Sequence, residues 1–174
     1  MKINKFTRGV EKRFGGVVIF AGSDSDKEHI KVLEKALGKY GIPYEVRIAS
    51  AHKQPGVVMR LARRYDAQPS PLVYIAVAGE TDALSGMLSF HSIRPVISCP
   101  PEYSAGRGVN QSCLTNPPGS SNAFVYNPHN AARFAAQCLS HYNPAIVKAL
   151  EKEVKDKIAK LEKADQEWDR GKKH

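Results

Sequence analysis

Short apolar runs of strand length alternate along this chain with segments whose apolar residues recur every three or four positions. The runs predict strands at residues 17–21, 44–49, 71–78, 95–99 and 123–126. A strand, a helix and another strand at this spacing require a right-handed crossover, so the strands are expected to be parallel. The pattern therefore predicts a single doubly wound α/β domain of three layers, with its ligand site at the carboxyl edge of the sheet.

Start and stop signals bound the predicted helices. Asp26 is placed to cap the first helix, and Gly41 is placed to end it in the left-handed conformation. Pro55 opens the second helix, while Asn127-Pro128 and Asn143-Pro144 open the last two. The residues expected to face the core are Ile30, Leu33, Leu37 and Tyr40, then Val58, Leu61, Ala62 and Tyr65, then Leu84, Met87, Leu88 and His91, and finally Phe134, Ala135, Cys138 and Leu139.

The C-terminal helix is predicted to be long, running to about Trp168. Its apolar residues fall along one side, whereas its other face is densely charged. This apolar stripe consists of Val147, Leu150, Val154, Ile158, Leu161 and Trp168. We expect the stripe to pack in part on another subunit, which predicts a homo-oligomer.

Composition and charge limit the classes of partner. The 174 residues are 42% hydrophobic, as in ordinary globular domains, and we expect a basic tail at residues 1–14 before one domain at 15–174. The formal charge of +9 is diffuse, although residues 1–13 hold five Lys or Arg against one Glu. Without a stripe of basic and aromatic residues, nucleic acid is not an expected partner. Apolar runs too short for a bilayer and a tail without an apolar segment argue against a membrane or secretory location.

Cysteine and histidine spacing argues against disulfides and metals. Cys99, Cys113 and Cys138 are odd in number and lack ligand spacing, which is typical of structural thiols in a reducing compartment, here the cytoplasm. The histidines at positions 29, 91, 129 and 141 show no ligand spacing either. There is no P-loop and no glycine-rich dinucleotide fingerprint, so we expect no metal, ATP or nicotinamide cofactor.

Polar turns after the predicted strands mark the candidate site. The first, Gly22-Ser23-Asp24-Ser25-Asp26, offers backbone amides and two hydroxyls at a helix start, an arrangement that suits an anion. We interpret Ser23 and Ser25 as phosphate ligands and Asp26 as a ligand of ribose hydroxyls. The alternative is helix capping alone, which needs only one of these side chains.

The second turn, Ser50-Ala51-His52-Lys53, supplies the candidate chemistry. His52 is the predicted proton shuttle because imidazole groups exchange protons near neutral pH. Lys53 and Ser50 are expected to bind phosphate or carboxylate. A hydrogen-bonded surface histidine and a solvated lysine are the alternatives.

The third turn follows the apolar run at 71–78. Gly79 lacks a Cβ and lets a ligand approach the backbone, while Asp82 either contacts the ligand or caps the next helix. His52 and Lys53 are the predicted catalytic residues. The predicted substrate-binding residues are Gly22, Ser23, Ser25, Asp26, Ser50, Ala51, Ala78, Gly79, Thr81, Asp82 and Leu84.

Residues 100–123 are rich in Gly, Pro, Ser and Asn and lack a clear period. A loop of this length inside a compact domain is usually functional or disordered. Since it leaves the same edge of the predicted sheet, we expect it to form a lid or a wall of the site.

The turns resemble those of a known family. Gly22-Ser23-Asp24-Ser25-Asp26, Gly41-Ile42-Pro43-Tyr44-Glu45, Ser50-Ala51-His52-Lys53 and Ala78-Gly79 are together similar to the PurE family of purine biosynthesis, at a spacing that agrees from about Val17 to Leu139. Three further features resemble the class II branch, the 5-aminoimidazole ribonucleotide carboxylases. They are His29, Lys53 and Ile97-Ser98-Cys99-Pro100-Pro101.

The resemblance implies a reversible, ATP-independent carboxylation of 5-aminoimidazole ribonucleotide by carbon dioxide. It also implies a flavodoxin-like fold, assembled as an octamer or a smaller oligomer such as a tetramer, with no cofactor. In such a protein the first turn and the Ser50–Lys53 turn would hold phosphate and ribose. His52 would move the proton at the carbon that is carboxylated.

The chain departs from the class II pattern at two places. Glu80-Thr81-Asp82 stands where class II members have Arg-Ser-Asn, and Thr115 lies near a position where the family often has Arg. Arg107 or Arg133 is expected to supply cationic charge instead. The alternative functions are a mutase of N5-carboxyaminoimidazole ribonucleotide, a divergent ribonucleotide-binding homologue with altered or lost activity, and a flavin carrier.

Overall fold

The computed structural model of the chain describes Phe6, residues 14–101 and residues 111–171. Its strands and helices are β1 Gly16–Ala21, α1 Lys27–Lys39, β2 Tyr44–Ile48, α2 Pro55–Asp66, β3 Leu72–Val77, α3 Ala83–His91, β4 Val96–Ser98, β5 Ala123–Phe124, α4 Pro128–Ser140 and α5 Pro144–Gly171. Short 3-10 turns lie at Asp24–Asp26 and Gln111–Cys113. The predicted order of strands and helices is confirmed, although β5 contains only two residues.

The strands form one parallel sheet in the order β2-β1-β3-β4-β5. From β1 the chain crosses to β2 on one side and then returns to β3 on the other. This is the order of flavodoxin-like doubly wound folds, in which the change of direction opens a crevice at the carboxyl ends of the central strands. The predicted doubly wound architecture is therefore confirmed, and the crevice lies beside β1 and β3.

Alternate residues of each central strand enter two separate cores. Val17 and Ile19 pack with α1, α4 and α5, whereas Val18 and Phe20 pack with α2 and α3. Every residue of β1, β3 and β4 is buried, as expected for a parallel sheet covered on both faces. Phe6 joins the second core, with its ring edge-on to Tyr65 at a centroid distance of 6.2 Å. Both faces of the sheet are thus covered by packed helices.

The start of α1 differs from the prediction. Asp26 occupies the N-cap position, but its carboxylate makes no capping hydrogen bond. The 3-10 turn begins the helical path earlier, and there the Ser23 hydroxyl accepts from the Ser25 amide. Asp26 is instead buried, with 2% of its surface exposed. At the other end of α1, Gly41 has φ +67°, which confirms the predicted left-handed stop.

The inward face of α4 is also rotated from the prediction. Ala135 and Leu139 are buried as expected, but Phe134 is 37% exposed and Cys138 only partly buried. The remaining core positions of α4 are Ala131, Ala132 and Ala136. Small side chains let α4 approach α1 closely, and the periodicity of the larger residues missed this face.

The other helices differ less. Leu61 and Met87 lie at the core margin, and His91 is exposed at the end of α3. Among the described side chains of α5, only Ile146 is fully buried, whereas Val154, Ile158 and Leu161 are exposed. No helix of the described residues is both long enough and apolar enough to cross a membrane.

Candidate active site at the carboxyl edge of the sheet

A cavity of about 770 Å³ lies over the carboxyl ends of β2, β1 and β3. Its lining residues are Gly22, Ser23, Ser25, Asp26, Ser50, Ala51, His52, Lys53, Ala78, Gly79, Glu80, Thr81, Ala83 and Leu84. Every residue predicted for the site, except Asp82, is therefore found around one cavity. Three separate turns meet here because parallel strands all end at the same edge.

Hydrogen bonds within the turn after β1 decide which of its groups can meet a ligand. The Gly22 amide donates to the Val77 carbonyl at 2.9 Å, which ties β1 to the end of β3. The Ser25 amide and hydroxyl both donate to the Ser23 hydroxyl oxygen, at 3.2 and 2.8 Å. The amides of Gly22 and Ser25 are thus engaged within the protein, so the predicted anion cradle is smaller than the sequence suggested. The Ser23 hydroxyl accepts both of these bonds and can still donate its own proton to a ligand oxygen.

Asp26 lies between two neighbouring cavities. It lines the main cavity and also a smaller one of about 360 Å³, to which Ser25, His29 and His129 contribute. Its carboxylate is almost fully buried. A buried carboxylate at the floor of a polar cavity can accept two hydrogen bonds from vicinal hydroxyls, which is the role expected of a ribose ligand.

The turn after β2 is organised by Ser50. The Ser50 hydroxyl accepts from the Lys53 amide at 3.2 Å, and the Ser50 carbonyl accepts from the Gln54 amide at 2.8 Å. These bonds close a tight turn and leave the side chains of His52 and Lys53 exposed at the cavity wall. An imidazole and an ammonium group therefore border the same space as the Ser23 hydroxyl.

Asp82 was predicted to contact substrate or to cap a helix, and the structure shows the capping. Its carboxylate accepts from the Ser85 amide at 2.9 Å, and from the hydroxyls of Ser85 and Ser98 at 2.6 Å each. Its own amide donates to the Ser112 hydroxyl at 2.7 Å. Because this carboxylate is 2% exposed and lies outside the cavity lining, Asp82 holds α3, β4 and residues 111–113 together.

Two lining residues, Glu80 and Ala83, were missing from the predicted site. Glu80 adjoins Gly79 in the same turn, so its position at the strand end was a usable signal. Ala83 is the first residue of α3 and has no polar side chain. Its contribution could only be found from the course of the backbone.

The three cysteines are free thiols. Cys99 is completely buried, and burial raises the pKa of its thiol to about 12. Burial also raises the pKa of the Cys113 and Cys138 thiols. His29 Nε2 lies 3.2 Å from the Cys99 carbonyl oxygen and 3.5 Å from its Sγ. These features suit structural thiols, because a thiolate nucleophile needs a lowered pKa.

Residues 111–123, the described part of the predicted lid or wall, pack on α3. The Ser120 hydroxyl donates to the Gly86 carbonyl at 3.3 Å. A Cβ at Gly86 would lie 2.6 Å from Asn116 Oδ1, so a larger residue at this position would displace the Asn116 side chain. None of residues 111–123 lines the main cavity. Residues 102–110, including Arg107, lie outside the described part of the chain.

Arg133 does not supply the cation that was expected at the site. Its Nε donates to Glu153 Oε2 at 3.2 Å, and Tyr40 donates to the same oxygen at 2.7 Å. These bonds join α4, α1 and α5 on one side of the sheet. Among the described cavity residues, Lys53 is the side chain with a full positive charge.

Comparison with known proteins agrees with this geometry. A model of the AIR carboxylase family matches residues 16–160. Phosphoribosylaminoimidazole carboxylase of Treponema denticola is 35% identical over 146 residues, which cover 83% of this chain and 92% of that protein. The crystal structure of Treponema denticola PurE has a TM-score of 0.84 and 34% identity, and it covers 88% of this chain and 98% of that one.

Animal relatives are longer. The human bifunctional phosphoribosylaminoimidazole carboxylase/phosphoribosylaminoimidazole succinocarboxamide synthetase is 36% identical over 151 residues, which are 86% of this chain but 35% of that protein. The chain thus spans about a third of the length of such bifunctional relatives. Since the family model covers most of the chain and the fold matches that of the PurE structure, the chain belongs to the AIR carboxylase family.

Proposed function

We propose that this protein catalyses the reversible, ATP-independent carboxylation of 5-aminoimidazole ribonucleotide by carbon dioxide, giving the 4-carboxy ribonucleotide of purine biosynthesis. The observation that carries the proposal is the position of His52, exposed on the wall of the cavity that also holds Ser23, Asp26 and Lys53. Family membership supports it, and the relatives from Treponema denticola and Archaeoglobus fulgidus are named carboxylases. The mutase alternative has no observation in its favour.

The chemistry asks for positioning and for one proton transfer. The ring carbon beside the amine-bearing carbon is nucleophilic because nitrogen donates electron density to it. Its electron pair forms a bond to the carbon of CO2, and one C=O pair moves onto oxygen to give the carboxylate. His52 then takes the proton from the same ring carbon, which restores the aromatic ring. In the reverse direction His52 returns the proton and carbon dioxide leaves.

The rest of the cavity orients the substrate. Lys53 and the Ser23 hydroxyl are the cationic and neutral donors for a phosphate, and Asp26 accepts hydrogen bonds from ribose hydroxyls. Gly79 leaves its backbone open to close approach, and donors at this turn would stabilise the developing carboxylate. Holding the ring carbon and carbon dioxide in contact supplies the remaining acceleration.

The test of the proposed function is a direct assay. Protein is mixed with 5-aminoimidazole ribonucleotide and bicarbonate, without ATP, and the ultraviolet absorbance of the imidazole is followed. We expect a change that depends on enzyme concentration, because carboxylation extends the conjugated system. No change at high enzyme concentration would refute the proposal, whereas conversion of the N5-carboxy isomer without free carbon dioxide would favour the mutase.

We further propose that copies of this chain associate through the apolar stripe of α5. From Val154 to Asp169 every side chain except Ala164 is exposed, and Leu161 and Trp168 are 72% and 76% exposed. Most of the stability of a helix in a protein comes from packing of its apolar face, which this segment leaves uncovered. The seven-residue spacing of Val147, Val154, Leu161 and Trp168 is the spacing of a two-stranded coiled coil.

Charge favours a parallel pair of α5 helices. In that arrangement, with Val154 and Leu161 facing their counterparts, Lys160 of one copy flanks Asp165 of the partner subunit. Such flanking pairs set the orientation of coiled coils. The occupant of the stripe is therefore a second copy of the same helix.

Sedimentation analysis of a matched pair of variants tests this association. Leu161→Asp places a charge in the stripe, while Gln166→Asp places the same side chain on the opposite face of the same exposed helix. We expect a lower assembly mass for Leu161→Asp only. A monomeric wild type, or an unchanged mass for Leu161→Asp, would contradict the proposed contact.

The free thiols also bear on the compartment in which the protein acts. Three cysteines without disulfides are common in reducing compartments. We therefore propose that the protein acts in the cytoplasm.

A further inference from the structure

Glu80 has an unusual backbone conformation. Its φ is +51°, and it is the only residue other than glycine with a positive φ in the described part of the chain. Residues with a Cβ rarely adopt this region, because it is sterically unfavourable for them. Such residues cluster at functional sites, and Glu80 lines the main cavity.

The neighbours of Glu80 impose this conformation. On its N-terminal side, the Val77 carbonyl accepts from the Gly22 amide, which fixes the end of β3 against β1. On its C-terminal side, Asp82 is fixed by hydrogen bonds to Ser85, Ser98 and Ser112. The backbone between these two anchored points spans only residues 78–81, and the Glu80 side chain in it lies at the cavity.

The strand order gives the cavity two electrically different sides. Lys53 follows β2, Glu80 follows β3, and β1 lies between these two strands. Neighbouring strands are about 4.8 Å apart, so the ends of β2 and β3 are separated by about 10 Å. An ammonium group therefore stands on one side of the Ser23–Asp26 turn and a carboxylate on the other.

A phosphorylated ligand has one favourable orientation in such a cavity. Its phosphate is attracted to Lys53 and repelled by Glu80. The Coulomb energy of each interaction is large at short distance in a partly desolvated site. The phosphate thus lies towards β2, the ribose lies over β1, and the base reaches β3. A carboxylate at β3 is then matched to a base that presents a hydrogen-bond donor.

We propose that Glu80 is a specificity-determining residue that accepts a hydrogen bond from the exocyclic amine of the aminoimidazole ring. The identity of the ring rests on the proposed function. The contact orients the ring, so that the carbon beside the amine faces His52, and it selects bases that carry a donor at this position. A hydrogen bond to a carboxylate is stronger than one to a neutral acceptor.

Calorimetric titration with two ligands tests the inference. One ligand is 5-aminoimidazole ribonucleotide, and the other is ribose 5-phosphate, which lacks the base. In Glu80→Gln the side chain keeps its size but loses its charge, and we expect the ribonucleotide to bind about tenfold more weakly. Ribose 5-phosphate should bind equally well or slightly better, because a repulsive charge has been removed.

Two further variants separate the side chain from other effects. Glu162→Gln removes the same charge from an exposed position of α5 and should leave both affinities unchanged. Glu80→Gly removes the side chain and accepts a positive φ. Its affinity for the ribonucleotide should therefore fall as much as that of Glu80→Gln, while its midpoint of thermal unfolding stays the same or rises. A fall in the midpoint would instead indicate a structural role.

The outcomes distinguish failure of the inference from failure of the proposed function. An equal change for both ligands in Glu80→Gln, or a wild type that binds ribose 5-phosphate as tightly as the ribonucleotide, would overturn the inference. The wild type could lack carboxylase activity and still bind the ribonucleotide more tightly than ribose 5-phosphate. If Glu80→Gln abolishes this difference in affinity, the inference stands and the proposed function is wrong. If the wild type binds neither ligand, both the inference and the proposed function are wrong.

Discussion

His52 and Asp82 both follow strands at the same edge of the sheet, yet the structure uses them in opposite ways. Asp82 is 2% exposed and makes three hydrogen bonds through its carboxylate and one through its amide. His52 is exposed on the cavity wall, and the turn around it is closed by Ser50 instead. A polar residue whose bonds are satisfied internally supports the fold, whereas one directed to the cavity is available to a ligand.

The contrast extends over very short distances along the chain. Glu80 and Asp82 are two residues apart, but one carboxylate lines the cavity and the other is buried behind it. The buried group fixes the backbone from which the exposed group projects. Structural and functional polar residues are therefore coupled: the first kind determines where the second kind lies.

The largest expected effect of a single change is on turnover in His52→Asn. General acid–base catalysis contributes about 10²- to 10⁴-fold, so carboxylase activity should fall at least about 100-fold. Since His52 is exposed, the free energy of unfolding should change by less than about 0.5 kcal/mol. Assays and denaturant unfolding of the same preparation measure both quantities. His91→Asn, an exposed histidine outside the cavity, should change neither.

For Asp82→Ala the main expected effect is on stability rather than on turnover. This change removes a helix cap and leaves the Ser85 and Ser98 hydroxyls without their acceptor, so stability should fall by about 2–4 kcal/mol. Denaturant unfolding measures the loss, and Asp24→Ala, an exposed carboxylate of the first turn, serves as the control. If Asp82→Ala were as stable as Asp24→Ala, the distinction between the two kinds of polar residue would be wrong.

The smallest expected effect lies away from the cavity, at Glu153. Hydrogen bonds and ion pairs from Lys157, Tyr40 and Arg133 lower the pKa of this carboxyl group below its ordinary value of 4.5. A carboxyl group whose pKa is lower in the folded state stabilises the fold at pH values above its pKa in the unfolded state. This contribution disappears as the pH falls through its pKa in the folded state.

Glu153→Gln should therefore reduce stability by about 0.5–1 kcal/mol at pH 7 and by less at pH 3. Unfolding curves at the two pH values test the sign. Turnover should be unaffected, because Glu153 joins α1, α4 and α5 and lies outside the cavity. A loss that is larger at pH 3 than at pH 7 would contradict the assignment.

Periodicity and turn residues were sufficient to predict the fold, because a parallel sheet leaves strong signals. Apolar runs such as 72–77 are buried on both faces, and Gly41 occupies the left-handed position that its place after the helix indicated. The face of α4 was harder, since its core residues are alanines and carry little hydrophobic signal.

The site was predictable only in part. Parallel topology is enough to bring the turns after β1, β2 and β3 together, so twelve of the thirteen predicted residues line one cavity. The direction in which a side chain points depends on bonds between residues distant in sequence, such as Asp82 with Ser98 and Ser112. The sequence contains these partners but does not show that they meet.

We propose that His52 moves a proton during reversible carboxylation in this cavity, without ATP. Isotope exchange tests it most directly: 4-carboxy-5-aminoimidazole ribonucleotide is incubated with the protein and ¹³C-bicarbonate, and ¹³C in the substrate carboxylate is followed by NMR. We predict rapid incorporation with the wild type and at least about 100-fold slower incorporation with His52→Asn. No incorporation with the wild type, or equal rates for the two proteins, would contradict the account.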